Sequence, residues 1–367
     1  MSSIVKYQLA LTLLKGVGTA SLRPLLEHFD PEEIFNSSPQ ELKSKVPVRP
    51  GCIQTIAAFN DWERVEQEIR FIESNNINTY FLTEKKYPFR LRECADAPLL
   101  LYARGKINLN SSKMLAIVGT RSNTAVGKKF TENILAAIQA FPDAVIVSGL
   151  AAGIDTIAHE EALRNKLPTL AVLAHGLDRI YPPVNKRLAT EIVNSGGGLL
   201  SECKRGEEPD RFLFPRRNRI VAGMTDATLV IESDLKGGSL ITANLAFNYG
   251  RTVFAIPGRV YDSKSSGCLS LIKTQKAQLI TSAEDLFYWL NWTKDKLPPA
   301  KCFENKVSTL TEDEKIILSH LHAGDEKHVD LLLQSTGWTP AKLAAILLSL
   351  SLADHIVSLP GNKYQLI

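Results

Sequence analysis

The sequence predicts a doubly wound α/β domain between a small N-terminal helical domain and a C-terminal winged-helix-like domain. Between residues 75 and 290, short apolar runs alternate with amphipathic segments, the pattern of a parallel sheet covered by helices on both faces. Residues 1–70 instead carry apolar residues at helical spacing. Residues 309–367 predict three helices closed by a strand, a turn and a strand. The length of 367 residues suits two or three domains.

The N-terminal domain, residues 1–70, is predicted to be a bundle of short helices. Pro31 and Pro39 each follow a residue type that caps helices, so both are expected at a first helical position. Gly16-Val17-Gly18 separates the first two helical segments. It is similar to the hairpin of helix-hairpin-helix proteins, whose N–H groups can bind phosphate, but a Gly-x-Gly between helices is more often only a tight turn. The domain is therefore predicted to be of the SAM or helix-hairpin-helix type.

The central domain, residues 75–290, is predicted to contain eight strands and five helices. Continuous apolar runs of this kind are typical of parallel strands buried on both faces. The strands are predicted at Thr79–Leu82, Leu99–Ala103, Leu115–Val118, Val145–Val147, Thr169–Leu173, Leu199–Ser201, Thr228–Ile231 and Thr252–Ile256, and the helices near 126–140, 154–165, 185–194, 216–223 and 239–249.

The C-terminal part begins with a predicted linker over residues 291–308, which holds two adjacent prolines and several lysines. Helices are then predicted near 311–322, 329–335 and 340–350. The tail after residue 355 has the strand, turn, strand pattern of a hairpin. Three helices closed by a hairpin follow the order of a winged helix.

Composition and charge limit the classes to which the protein can belong. The hydrophobic and charged fractions, 44% and 22%, are those of globular domains and exclude disordered and coiled-coil classes. The formal net charge of +4 is too small to show a nucleic-acid partner by bulk attraction, so a basic surface has to be local. Five widely spaced cysteines make a disulfide framework or a zinc site improbable. The first residues lack signal-peptide features and the longest apolar run is about half a membrane span, so we expect a cytoplasmic protein with no membrane partner.

Four predicted strand exits are rich in small residues, which let a backbone approach an anion closely. Ligands of parallel sheets bind at these carboxyl ends, beside helix N-termini. The exits are Gly119-Thr120-Arg121-Ser122, Ser148–Gly153, Lys236–Ser239 and Pro257-Gly258. Arg121 adds a bidentate donor, so an anionic ligand is predicted. The spacing after Gly119 matches neither the P-loop nor the dinucleotide fingerprint, so no ATP, NAD or FAD is expected as a cofactor.

A second feature is Arg216-Arg217-Asn218-Arg219, which opens a predicted helix. Cationic side chains oppose the dipole at a helix N-terminus, and phosphates facing them would remove that cost. The alternative is a solvated charge run paired with Glu202, Glu207 or Glu208.

Two further features allow two interpretations each. Asp155 and His159 share a helix face at i and i+4, as an acid/base pair would, but they equally suit a structural cap and a tie to a neighbouring loop. Tyr181 is followed by Lys186 and Arg187 in a loop that suits a nucleic-acid strand and equally an ordinary solvated surface.

Seven motifs in order resemble the DNA-processing protein A (DprA/Smf) family. They are Ile117–Arg121, Ser148–Asp155 with Ala158-His159, Gly176–Pro182, Ser201-Glu202, Phe214–Ile220, Gly238–Ala243 and Gly250–Gly258. The resemblance implies an extended Rossmann fold and a protein that is not an enzyme. It implies that the protein binds single-stranded DNA, protects incoming DNA during natural transformation, loads the RecA recombinase and forms a homodimer.

The strand exits and the resemblance together give thirteen candidate DNA-binding residues. Many family members carry lysine after Tyr-Pro, where this chain has Pro183, so Lys186 is expected to supply that phosphate contact. The candidates are Gly119, Thr120, Arg121, Ser148, Gly149, Lys186, Arg216, Arg217, Asn218, Arg219, Gly238, Ser239 and Thr242.

A homodimer interface is predicted after Pro257-Gly258, where an edge strand must be covered or paired. Its apolar residues are Leu269, Leu271, Ile272 and Leu279. The alternative is that the linker covers them.

Two other functions fit the sequence less well than DNA binding. Related Rossmann enzymes that cleave nucleoside monophosphates carry a glutamate in a Gly-Gly-x-Gly-Thr-x-x-Glu stretch, but the matching stretch Gly237–Asn244 has none. A duplex-DNA regulator is disfavoured because residues 309–367 are nearly charge-balanced and lack a basic recognition helix. That segment is expected to be an interaction module.

Overall fold

The structure is a computed structural model that describes residues 3–292, 310–321, 326–352, 355–359 and 362–366. The chain forms two compact units, Met1–Lys294 and Asp295–Ile367.

Six helices form the N-terminal layer of the first unit, as predicted. They are α1 (Ser3–Leu13), α2 (Thr19–Leu26), α3 (Pro31–Asn36), α4 (Pro39–Lys45), α5 (Pro50–Ala57) and α6 (Trp62–Ser74). Pro31 and Pro39 open α3 and α4, and the Ser38 hydroxyl accepts a hydrogen bond from the Glu41 amide at 3.2 Å. The proline and cap pattern therefore predicted these two helix starts correctly.

A nine-stranded sheet forms the centre of the same unit. Its strands are β1 (Asn78–Phe81), β2 (Leu100–Gly105), β3 (Met114–Val118), β4 (Val145–Ser148), β5 (Thr169–Leu173), β6 (Gly198–Ser201), β7 (Ala227–Val230), β8 (Thr252–Ala255) and β9 (Gln278–Leu279). Their order across the sheet is β1-β2-β6-β5-β4-β3-β7-β8-β9. The seven strands from β6 to β9 are parallel, whereas β2, next to the edge strand β1, pairs antiparallel with both β6 and β1. The prediction of parallel pairing was wrong for β2, because the apolar pattern of a buried strand does not depend on its direction.

Helices cover both faces of the sheet. They are α7 (Phe89–Arg92), α8 (Ala125–Ile138), α9 (Ile154–Arg164), α10 (Lys186–Asn194), α11 (Leu213–Gly223), α12 (Gly238–Asn248), α13 (Ser263–Lys273) and α14 (Ala283–Leu290). Strand β3 shows the two layers, because Met114, Ala116 and Val118 pack with one core cluster and Leu115 and Ile117 with the other. The N-terminal helices belong to the first cluster. The predicted N-terminal domain is thus a layer of the same compact unit.

The second unit has the predicted order of a winged helix. It consists of α15 (Glu312–His320), β10 (Lys327–His328), α16 (Val329–Thr336), α17 (Pro340–Leu352), β11 (Ile356–Leu359) and β12 (Lys363–Leu366). Its three strands are ordered β10-β12-β11, and Ile317, Leu332 and Leu347 lie in its core. Strand β10 was missed because two residues carry no periodic signal. Most of the predicted linker, residues 293–308, lies outside the described residues.

Two features of the described residues bear on the class of protein. None of the helices described is long and apolar enough to cross a membrane. Within the same residues, no group of three or more His, Cys, Asp and Glu side chains is placed to hold a metal ion. Cys52, Cys94, Cys203 and Cys268 are free thiols, and Cys302 lies outside the described ranges.

A candidate nucleic-acid interface

An open groove of about 480 Å³ lies beyond the carboxyl ends of β3, β4 and β7. Its walls are the loop after β3 from Gly119 to Arg121, the loop after β4, the loop from Asp234 to Gly238 and one face of α11. This is the edge of the sheet at which an anionic ligand was predicted.

Glycines allow these loops to pack closely. A Cβ on Gly119 would lie 2.6 Å from Cγ1 of Ile154, the first residue of α9. Gly153 has φ +81°, and a Cβ there would lie 2.3 Å from the Thr120 carbonyl oxygen. Because an L side chain fits at neither position, the small residues fix how the loops after β3 and β4 meet.

Helix α11 turns one face to the groove and another away from it. Phe214, Arg217, Asn218 and Val221 line the groove, and their spacing of i, i+3, i+4 and i+7 places them on one helix face. Arg216 and Arg219 were predicted beside DNA, but both line a separate cleft and pair with the Glu202 carboxylate. The ion-pair alternative is correct for these two arginines, because helical geometry turns them away from the groove.

Arg217 forms a buried part of the groove floor. Its side chain is 6% exposed, Nη1 donates to the Val172 carbonyl oxygen at 2.5 Å, and Nε donates to Asn218 Oδ1 at 3.1 Å. Burial lowers the pKa of the Arg217 guanidinium, while the Asp155 carboxylate raises it. Arg217 is therefore anchored by the sheet while it lines the groove.

Asp155 and His159 have structural roles. Oδ2 of Asp155 accepts the Gly149 and Ala151 amides at 3.1 and 3.4 Å, which fixes the loop after β4. His159 is fully buried, and its Nδ1 lies 2.7 Å from Thr169 Oγ1, whose hydroxyl donates to the Ile146 carbonyl. Nδ1 therefore carries the proton. Burial, and then Arg217, lower the pKa of His159 to about 3, so the structural alternative holds for this pair.

An aromatic ring and an exposed cation stand together at the groove. Cζ of Arg121 lies 5.4 Å from the centre of the Phe214 ring. The Tyr181 ring, 44% exposed, lies 5.9 Å from the same ring. This arrangement offers a flat apolar face beside a donor for an oxyanion.

Helix α12 begins at the groove wall. Gly237 is its N-cap residue and has no side chain, so side-chain capping does not close this end. Ser239 and Thr242 line the groove but are nearly buried, and the Ser239 hydroxyl donates to Ser233 Oγ at 2.8 Å. The N–H groups at the start of α12 and its dipole suit an anion.

Two other predicted residues lie outside the groove. Ser148 is fully buried, and its hydroxyl donates to the Ile117 carbonyl at 2.7 Å inside the sheet. The prediction that Ser148 contacts DNA was wrong, because the side chain of a strand residue that points inward cannot reach a ligand. Lys186 is exposed as the first residue of α10 and does not line the groove.

The predicted set omitted several residues of the groove lining, among them the charged Arg211 and Asp234 and the aromatic Phe214. Phe214 opens the Phe214–Ile220 motif, so that motif was the available signal for it. Asp234 follows β7 and lies 3.4 Å from the Lys264 ammonium, which also donates to Ser122 Oγ at 2.8 Å. No sequence pattern connects residues so far apart as Asp234 and Lys264.

The predicted dimer interface is only partly on the surface. Leu271 is 4% exposed in the core cluster of its own chain, so its placement in an interface was wrong. Leu269 and Ile272 are half-buried. Leu279 is 47% exposed on edge strand β9 and is the clearest surface candidate of the four.

Two family models match the chain. The model of DNA recombination-mediator protein A matches residues 78–291, and that of the DprA winged helix domain matches residues 304–362. Among curated proteins, Smf of Synechocystis is 37% identical over 98% of each chain. Smf of Escherichia coli is 35% identical over 82% of this chain and 81% of its own, and DprA of Streptococcus pneumoniae is 39% identical over 64% and 82%.

Two solved structures of the same kind resemble this one. The X-ray structure of DprA from Streptococcus pneumoniae covers 78% of this chain and 98% of its own, with a TM-score of 0.65 and 34% identity. A structure described as giving the single-stranded DNA binding mode of DNA processing protein A from Helicobacter pylori covers 59% and 95%, with a TM-score of 0.53 and 32% identity.

Proposed function

The chain belongs to the DprA/Smf family of DNA recombination mediators, a DNA-binding family and not a family of enzymes, and on that basis we propose that its groove binds single-stranded DNA. The groove would hold an unpaired stretch of a strand. Bound strands would be protected from degradation and passed to the RecA recombinase during DNA uptake.

The juxtaposition of Arg121 and Phe214 is the observation that carries this proposal. A strand presents alternating phosphates and flat bases, and the groove presents an exposed guanidinium 5.4 Å from an aromatic ring. Stacking on a ring requires a base that is free of a partner strand, and it tolerates every base. The pair therefore favours single strands over a duplex.

The charges of the groove agree with a phosphate ligand. Arg121, Arg211 and Arg217 line it together with Asp155 and Asp234, which leaves a net charge of 3 − 2 = +1. Asp155 is bound by two backbone amides and Asp234 lies beside Lys264, so both carboxylates have partners within the protein. The exposed guanidinium groups of Arg121 and Arg211 remain to face a DNA strand, while Arg217 lies in the groove floor.

The relative from Helicobacter pylori supports the same ligand, since its description names single-stranded DNA and it covers 59% of this chain. Loading of RecA, homodimer formation and a cytoplasmic location rest on the family resemblance rather than on groove geometry. They are part of the proposal.

The binding test compares a labelled 20-nucleotide strand with the duplex of the same sequence, using the full chain and fluorescence anisotropy. We expect tighter binding of the single strand, with log K falling against log[salt] by about 0.7 for each phosphate contact. A preference for the duplex, or no dependence on salt, would overturn the groove assignment.

The loading test measures how fast RecA forms filaments on a strand already covered by a single-strand-binding protein. Addition of this protein should shorten the delay before filament growth. An unchanged delay, with strand binding intact, would refute the RecA step and leave DNA binding in place.

A further inference from the structure

A second cavity, which the proposed strand groove does not include, lies between the end of α6 and the central sheet. Its volume is about 540 Å³. Arg70, Ser74 and Asn75 reach it from α6 and its C-cap, Arg104 from β2, and Arg205 from the loop after β6. Three arginines from three separate elements therefore meet at one polar cavity.

The cavity carries an excess of positive charge. Asp178 is the one carboxylate among the described residues that line it, so the lining sums to 3 − 1 = +2. Asp178 already accepts Gly206 N–H at 3.2 Å and Arg179 Nη2 at 3.1 Å. Burial would raise the pKa of Asp178, but these hydrogen bonds lower it, so the carboxylate stays ionised and engaged with Arg179.

The guanidinium of Arg104 lacks strong partners. Nε is buried and has no hydrogen-bond partner among the residues that the structure describes. Nη2 donates to Asn75 Oδ1 at 3.4 Å, a long hydrogen bond. An unpaired buried donor of a charged group is costly, and an oxyanion that drew this edge of the guanidinium toward it would satisfy both nitrogens.

Arg205 lines the same cavity, and contacts within the protein fix its position. Its guanidinium carbon lies 5.5 Å from the Phe71 ring centre. Its backbone is fixed at both polar groups, because the amide donates to Glu68 at 3.1 Å and the carbonyl accepts from Arg64 at 2.7 Å. The side chain therefore projects from an anchored backbone and can be changed without loss of these two bonds.

We propose that Arg70, Arg104 and Arg205 form a second binding site, for a phosphate group. A tetrahedral dianion or a phosphodiester suits planar guanidinium donors that converge from several directions. The phosphate belongs either to a DNA strand that continues beyond the groove or to a free phosphate compound.

The order of the β-strands supports a path for a DNA strand that continues from the groove. Asp178 and Arg205 follow the carboxyl ends of β5 and β6, and the sheet order β3-β4-β5-β6 places β5 next to the groove strand β4 and β6 one strand further on. A DNA strand that leaves the groove along this edge of the sheet reaches Arg205 after it passes the end of β5. This arm of the proposal rests on the proposed single-strand function.

The experiment uses the full chain and Arg205→Gln, with Arg104→Gln as a second variant. Arg164→Gln is the matched control, since Arg164 is exposed and paired with Glu161 at the far end of α9. Affinity is measured for labelled thymidine strands of 6 and 20 nucleotides. In parallel, the rise in thermal midpoint with inorganic phosphate is measured at constant ionic strength.

If the site binds DNA, Arg205→Gln should reduce the affinity for the 20-nucleotide strand about five- to tenfold. The slope of log K against log[salt] for that strand should become shallower by about 0.7, and the affinity for the 6-nucleotide strand should not change. If it takes free phosphate, inorganic phosphate should stabilise the unaltered protein and the control but not Arg205→Gln. Unchanged values in both assays would overturn the proposal. A wild-type protein that binds neither strand would refute the groove function instead, and the phosphate assay would still decide this site.

Discussion

Gly149 and Arg217 are packed so closely that a Cβ on Gly149 would lie 2.0 Å from Nη1 of Arg217. The guanidinium occupies the space that any side chain at position 149 would need, and it donates from there to the Val172 carbonyl. Gly149 thus sets the depth at which Arg217 lies in the groove floor. A change at this glycine should act on the groove through the arginine.

Gly149→Ala should displace Arg217 from the Val172 carbonyl and lower the free energy of unfolding by about 1–3 kcal/mol, as overpacking does. Single-strand affinity should fall with it, because the groove floor changes shape. Chemical denaturation and anisotropy measure the two effects.

Gly238→Ala is the matched control in the same groove, since a Cβ at Gly238 meets none of the described atoms within 4 Å. Its stability should stay within about 0.5 kcal/mol of wild type. Equal losses of stability in both variants would contradict the packing argument.

Much of the fold follows from local sequence. Strand β5 matches its predicted range, Thr169–Leu173, and the helix starts at Pro31 and Pro39 are correct because cap and proline chemistry act within a few residues. The antiparallel pairing of β2 with β1 and β6 was missed, since most of β2 is buried and a strand buried on both faces has the same apolar pattern in either direction.

The site was predicted at the level of loops and less well at the level of side chains. Three of the four glycine-rich segments, those after β3, β4 and β7, line one groove that includes Arg121, whereas the Pro257-Gly258 segment lines another cavity. That an anionic ligand binds at this edge stays a prediction. Arg216 and Arg219 lie outside the groove because consecutive arginines on a helix do not share one face. A helix separates successive residues by about 100°, so only Arg217 of the three faces the groove.

Arg121→Ala should weaken single-strand binding by about 1.5–3 kcal/mol, or about 10- to 150-fold, for the loss of one charge-assisted phosphate contact. The loss should be similar for all base sequences, because a phosphate carries no sequence information. Arg164→Ala is the control for removing one positive charge. Anisotropy titrations at fixed salt would refute the assignment if both variants lost affinity equally.

Phe214→Leu should reduce affinity by about 1–3 kcal/mol if a base stacks on the Phe214 ring. Phe212→Leu provides a comparison two residues away, since Phe212 is 65% exposed and lies outside the groove lining. It should bind like wild type. A larger loss for Phe212→Leu in the same titration would place the stacked base on the other ring.

His159 should make the fold sensitive to acid. Its pKa is about 3 in the folded chain and near 6.5 in the unfolded chain, so below pH 6.5 the unfolded chain takes up a proton that the folded chain does not. Stability therefore falls as pH drops, by about 2 kcal/mol between pH 7 and 5 from this group. His159→Asn removes the titration and can still donate to Thr169. Denaturation at both pH values should show a smaller loss for the variant, and equal losses would contradict the assignment.

Leu279→Glu should convert a dimer to monomers if the homodimer forms through β9. Strand β9 is at the edge of the sheet, where unpaired backbone groups need cover, and Leu279 is half-exposed there. A two-fold interface would place the new charge twice in one apolar seam. Sedimentation velocity at micromolar concentration measures the proportions of monomer and dimer.

Leu271→Ala distinguishes an effect on folding from an effect on dimerisation, because Leu271 is buried within its own chain. It should cost about 2–5 kcal/mol of stability and leave the folded fraction dimeric. Leu279→Glu should instead leave the monomer's stability close to wild type and weaken binding of long strands, since a dimer holds one strand at two linked sites and gains effective concentration. A wild-type protein that sediments as a monomer, or a Leu279→Glu variant that stays dimeric, would show that the subunits do not meet at β9.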